Sequence, residues 1–153
     1  MLYLVRHADA GDKQTWTGPD RERPLTSAGH RQARGLLTQL DGYPIAAVVS
    51  SPALRCKQSV QPLADHLRLE VQTDPRLAVD ANPDEAVTLV LHPAHDQAVW
   101  CTHGELIGEM LARLRERGAP IGAAPEWPKG SIWRLEITAG EVVGAAYLPP
   151  ADV

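Results

Sequence analysis

The sequence predicts a three-layer α/β/α fold, with a mostly parallel sheet between two layers of helices and an antiparallel hairpin at its C-terminal edge. Three observations predict it. Short apolar runs alternate with longer helical patterns along most of the chain, which is how a helix-covered parallel sheet reads. The first of these runs, Leu2 to Val5, is apolar at every position, as a strand buried on both faces must be. Near the C-terminal end, two extended stretches flank the turn pair Ala139-Gly140. With 153 residues, 44% of them hydrophobic, the chain suits one sizeable core and is short for two, so residues 1–153 read as a single domain.

Each element has its own signal. Leu2 to Val5 is a strand that stops at Arg6-His7. Ala8 to Pro24, with its glycines, prolines and charges, reads as a long surface loop, and long loops inside compact domains tend to be functional. From Thr26 the pattern is helical, with Ala33, Leu36, Leu37 and Leu40 on one face and Gly42 as the stop. Ile45 to Val49 is a second strand that runs into Ser50-Ser51-Pro52. A helix over Leu54 to Leu67 follows, with a bend expected near Pro62. Leu69 to Thr73 is a third strand, the stretch to Pro83 a polar loop, and Asp84 to Leu91 a helix. Ala98 to Cys101 forms a fourth strand that ends at Thr102-His103-Gly104, and Glu105 to Arg117 is helical up to Gly118. Ser131 to Thr138 and Glu141 to Leu148 form the hairpin.

Composition excludes several function classes. A formal net charge of -4 offers no general attraction to nucleic acid or to an anionic membrane, so any anionic ligand must be held by a local cluster. Two cysteines, Cys56 and Cys101, make no secreted-type disulfide framework, and no zinc-type pair occurs. The first residues lack the plan of a signal peptide, and no run has the length of a membrane span, so a cytoplasmic location is expected. His92 and His95, with Pro93 between them, read as a solvated loop and not as metal ligands; no metal and no cofactor are expected.

The chemistry should sit beyond the carboxyl ends of the strands. Three strands end in residues suited to phosphate: Arg6-His7, Ser50-Ser51 leading to Arg55, and Thr102-His103-Gly104. Phosphoryl transfer without metal needs an in-line nucleophile, donors for the non-bridging oxygens and a proton for the leaving atom. His7 supplies a neutral imidazole, oriented by a hydrogen bond from its other nitrogen. Arg6 and Arg55 supply forked donors, and His103 donates when protonated beside an anion. Asp80 is the expected proton donor, with Glu105 and Asp9 as other carboxylates within reach of the same rim. Arg23 has two readings, a further pocket cation or an ion pair with Asp20 or Glu22. Neither Cys56 nor Cys101 has an arginine six residues on, which argues against a thiol phosphatase.

Four blocks carry a family resemblance. LVRHADA (Leu4 to Ala10) resembles the RHG-type signature of the histidine phosphatase, or phosphoglycerate mutase-like, superfamily, with Ala8 where glycine is commoner. RPLTSAG (Arg23 to Gly29), SSPALRCKQS (Ser50 to Ser59) and THGE (Thr102 to Glu105) resemble its further blocks in order and spacing. The resemblance implies His7 as the phosphorylated nucleophile and Arg6, Arg55 and His103 as phosphate ligands. The compact size and the pattern from Asp20 to Gly29 look like the small phosphohistidine phosphatase branch. The Lys13 to Asp20 loop and the segment Lys129 to Leu148 look closest to the histidine phosphatase domain fused to MutT-type Nudix hydrolases, here without a Nudix box.

The expected function is therefore a metal-independent phosphomonoesterase or phosphoamidase that works through phosphohistidine on His7. Its partner would be a phosphorylated small molecule or a phosphohistidine protein. The alternative is a catalytically silent module that binds a phosphorylated ligand. Oligomeric state is not legible.

Overall fold

A computed structural model describes residues 1–151. Six strands form one sheet: β1 (Leu2–Arg6), β2 (Ala47–Ser50), β3 (Val71–Thr73), β4 (Ala98–Thr102), β5 (Ile132–Thr138) and β6 (Glu141–Leu148). The helices are α1 (Ser27–Gln39), α2 (Leu54–Leu67), α3 (Pro83–Leu91) and α4 (Gly104–Glu116). Strand order is β3-β2-β4-β1-β5-β6. Strands β3, β2, β4 and β1 are mutually parallel, while β5 runs antiparallel to β1 and pairs with β6 as a hairpin. The expected fold class is the one observed.

Alternation along β1 explains the two helical layers. Leu2 and Leu4 point to the side packed by Val87 and Val90 of α3 and by Leu106, Met110 and Leu111 of α4. Tyr3 and Val5 point the other way, onto Leu36 of α1 and Cys56, Val60 and Leu63 of α2. Both faces are apolar because both are covered.

Element ends differ from the sequence reading by a few residues. The second strand starts at Ala47 and not at Ile45, because the ladder with β4 begins there. Thr26 is the cap of α1 and not its first residue, its hydroxyl accepting from the Gly29 amide at 3.1 Å. Asn82 does the same for α3. Short 3-10 turns at Asp20–Glu22, Pro75–Leu77 and Pro93–His95 interrupt segments that read as loop. The hairpin turn follows the expected pair, with φ of 53° at Ala139 and 78° at Gly140, the left-handed conformation a two-residue turn requires.

The segment after β1 is pinned to the start of α1. Ala8, Ala10, Leu25 and Ala33 form a small apolar cluster of their own. The Asp9 carbonyl accepts from the Thr26 amide at 3.0 Å, and a Cβ on Gly29 would stand 2.0 Å from that carbonyl oxygen. Gly29 is thus a close-approach residue, as its place inside a helix suggests.

Candidate active site

Parallel pairing puts the ends of β1, β2 and β4 on one rim. Arg6 is level with Thr102, and Ser50 with Cys101. The ladder continues one step past each strand: the His7 amide donates to Thr102 O at 3.1 Å and the Ser51 amide to Cys101 O at 2.9 Å. α2 and α4 begin just beyond, so two helix N-termini face the same place, an arrangement suited to an anion.

His7 is 5% exposed. Its Nδ1 donates to the Ala8 carbonyl at 2.7 Å, which places the only ring proton there and leaves the Nε2 lone pair free. Burial, aided by the nearby His103, Arg55 and Arg6, outweighs the Ala8 bond and pushes the His7 pKa down to about 3. The imidazole is neutral at physiological pH. Ala8 is itself held, its amide donating to Ser59 Oγ at 2.8 Å while that hydroxyl donates to Arg55 O at 2.6 Å.

His103, also buried, meets His7 edge to face with ring centroids 5.6 Å apart. A guanidinium only donates, so the 3.3 Å contact from Arg55 Nη2 makes His103 Nδ1 an acceptor. The ring proton then sits on Nε2 and reaches Ser51 Oγ at 2.8 Å, with Cys56 Sγ 3.7 Å away. Ser51 is therefore a brace for His103 as well as an acceptor for the Ala53 amide.

The two arginines are anchored from different directions. Arg6 donates to the Trp127 carbonyl at 3.0 Å and lies flat on Gly104, where a Cβ would come within 2.6 Å of its Cζ. Arg55 donates from Nη1 to the Asp20 carbonyl at 2.9 Å and from Nη2 to the Asp20 carboxylate at 3.0 Å. The Nε–H groups of Arg6 and Arg55 are both buried and have no acceptor among the described residues. Buried N–H groups without a partner are uncommon, and here two of them belong to the two cations beside a neutral imidazole.

Arg55 and His103 line a cleft of about 500 Å³ together with Asp20, Arg21, Ser51, Val79 and Asp80. Asp80 is brought there by the Pro75–Leu77 turn, whose Leu77 carbonyl accepts from Thr102 Oγ1 at 2.6 Å. The structure thus brings together His7, Arg6, Arg55 and His103, with Asp80 on the cleft wall. Arg23 stands one step back: it donates to Ala10 O at 2.7 Å, Gly11 O at 3.2 Å and Asp20 at 3.3 Å, fastening the two ends of the loop. Glu105 is exposed in the first turn of α4. Asp9 accepts from Thr26 Oγ1 at 2.6 Å and sits 3.5 Å from Lys129 Nζ; the Thr26 bond, with Lys129 beside it, holds its carboxyl below the usual range despite partial burial, so Asp9 is a structural anion.

Sequence reasoning, which read Trp127 as a loop residue that covers the pocket or shields the hydrophobic rim, missed the contacts of three residues. Ser59 lies one helical turn after Arg55 on the same face of α2, a spacing that was there to be read. Trp127 acts through its carbonyl, which no side-chain signal announces. Asp20 had been placed only as an ion partner for Arg23; it also grips Arg55.

Fold and site define an α/β protein with a buried, neutral histidine set beside two arginines at the carboxyl ends of its parallel strands. The chain belongs to the histidine phosphatase superfamily, whose branch 1 model matches residues 2–78. It is 32% identical over 156 residues to the 8-oxo-(d)GTP phosphatase of Mycolicibacterium smegmatis, covering 99% of this chain and 48% of that protein. It is 29% identical over 145 residues to the probable phosphoglycerate mutase GpmB of Yersinia enterocolitica, covering 86% of this chain and 66% of that one. The chain thus spans about half the length of the first relative and about two thirds of the second. Among solved structures, the protein histidine phosphatase SixA complexed with tungstate superposes with a TM-score of 0.78 at 22% identity, covering 98% of this chain and 95% of that one. The putative SixA of Agrobacterium tumefaciens gives 0.70 at 22% identity, with 97% of each covered. At such identities these two likenesses concern the fold alone.

Proposed function

We propose that the protein is a metal-independent phosphatase that hydrolyses phosphomonoesters or phosphoramidates through a phosphohistidine on His7. The observation that carries this reading is the 2.7 Å bond from His7 Nδ1 to Ala8 O, which leaves Nε2 as an unprotonated nucleophile inside a ring of cations. Arg6 and Arg55 present their free Nε–H groups to the non-bridging oxygens, with His103 packed beside them. The two guanidinium groups supply the positive charge that phosphoryl transfer needs. Nε2 forms a bond to phosphorus as the leaving atom departs with the electrons of its own bond and takes a proton. Water then displaces His7 and releases phosphate. Asp80 and Asp20, the two carboxylates on the cleft wall, are the groups placed to give that proton.

The substrate is a phosphorylated small molecule or a phosphohistidine protein. The name of the mycobacterial relative directs the first panel toward nucleotides. The test is phosphate release from p-nitrophenyl phosphate, nucleotides and a phosphohistidine protein in EDTA, with wild type and His7→Ala side by side. Wild type turns over and His7→Ala does not. Full turnover by His7→Ala defeats the reading, and binding without release by wild type makes the chain a phospho-ligand module.

A further inference from the structure

Resting on the phosphatase reading, we propose that Asp20, on the cleft wall and bonded to Arg55, is the catalytic acid that protonates the leaving group. Three observations lead there.

The first is position. His7 is buried with its ring against His103, and His103 lines the cleft together with Asp20 and Arg55. In-line attack from Nε2 places the leaving atom on the side of phosphorus away from His7, toward that cleft. Asp80 shares the cleft, but among the described residues it makes no hydrogen bond to any of the phosphate ligands. Asp20 makes two to Arg55, at 2.9 and 3.0 Å.

The second is the charge around it. Asp20 faces Arg55 of α2 and Arg23 of its own loop, with Arg21 adjacent in sequence and Asp80 and His103 on the same cleft. Burial pushes its carboxyl up, but the charge of Arg55 and the bond from Arg23 outweigh this and hold it below the ordinary value. In the free protein it is a carboxylate. A phosphate dianion draws on the same Arg55 guanidinium and adds negative charge nearby, and both changes favour the protonated acid.

The third is access. The Asp20 side chain is 46% exposed, so it exchanges protons with water, unlike Arg55 at 4%.

The steps balance. His7 Nε2 forms the N–P bond while the P–O bond to the leaving group breaks, and the leaving oxygen takes the Asp20 proton to become an alcohol. Nδ1 keeps its proton on Ala8 throughout. In the second step water loses a proton to the Asp20 carboxylate, its oxygen bonds to phosphorus, and the P–N bond breaks to restore neutral His7.

The experiment compares wild type, Asp20→Asn, Asp80→Asn and His7→Ala on two esters: p-nitrophenyl phosphate, whose leaving group departs without a proton, and a simple alkyl phosphate, whose leaving group needs one. Asparagine keeps an oxygen for Arg55. Asp20→Asn is expected to lose about 10²–10⁴-fold more in kcat/KM, which reports transfer to His7, on the alkyl ester than on the aryl ester. Equal losses on both esters would show that Asp20 only positions Arg55, and no loss on the alkyl ester would show no role; either overturns the proposal. So does a selective loss in Asp80→Asn, or a wild type that turns over only the aryl ester. His7→Ala reports separately: if it retains activity, the phosphatase reading itself fails, whatever Asp20 does.

Discussion

The guanidinium of Arg6 fits where it does because position 104 carries no side chain. Gly104→Ala would place a methyl group 2.6 Å from Arg6 Cζ, so the arginine must leave its seat between Gly104 and the Trp127 carbonyl. We expect a folded protein, unchanged by circular dichroism, whose affinity for inorganic phosphate falls about 10–100-fold, the equivalent of one charge-assisted hydrogen bond. His7 gives a second residue-scale prediction. Its pKa is about 3 in the folded protein against 6.5 for a free imidazole. Between those values the unfolded chain binds a proton that the folded one does not, so stability is present above about 6.5 and declines as pH falls toward 3. The slope from this one group is at most about 1.4 kcal/mol per pH unit. Denaturant unfolding at a series of pH values should show a shallower decline in His7→Asn than in wild type. At this scale the sequence was informative wherever a functional side chain directly follows a strand, as with His7 and His103. It was silent on Trp127, because a main-chain carbonyl leaves no trace in residue type.

Among the elements, the start of α1 matters most to the site. Thr26 caps the helix and Gly29 receives the Asp9 carbonyl, so the helix end holds the segment that carries Ala8. Thr26→Ala should cost about 1 kcal/mol, the usual value of a lost cap. Gly29→Ala should cost more, about 1–3 kcal/mol, since the new methyl meets backbone and not a movable side chain. It should also lower turnover, because Ala8 O can no longer hold His7 Nδ1 in place; thermal melts and rate measurements on both variants check this. The strands and helices were legible from hydrophobic period, and their order predicted the layers. Element ends were not, since Ala47 begins β2 only because β4 lies beside it. The Asp20–Glu22 turn was equally hidden, because what fixes it is Arg23 reaching back to Ala10 and Arg55 reaching across from α2.

Taken whole, the molecule joins both helical layers at the proposed phosphate pocket. Arg55 comes from α2 on one face of the sheet, while Arg6 rests on the first residue of α4 on the other. A ligand that bridges them binds only the folded state. Inorganic phosphate at about a hundredfold excess over its Kd should therefore add about 2.7 kcal/mol of stability, read as a rise in Tm. Arg55→Ala should abolish the rise. Sheet order has one more consequence, which concerns synthesis. β1 is made first, yet its neighbours on either side are β4 and β5. While the ribosome is still adding the segment up to Ala98, the His7 strand has no ladder partner and its apolar residues have no sheet to enter. The segment bearing His7 is thus translated before β4 and β5, the strands that set β1 in the sheet, so a chain cut short of Ala98 carries Arg6 and His7 with no site around them.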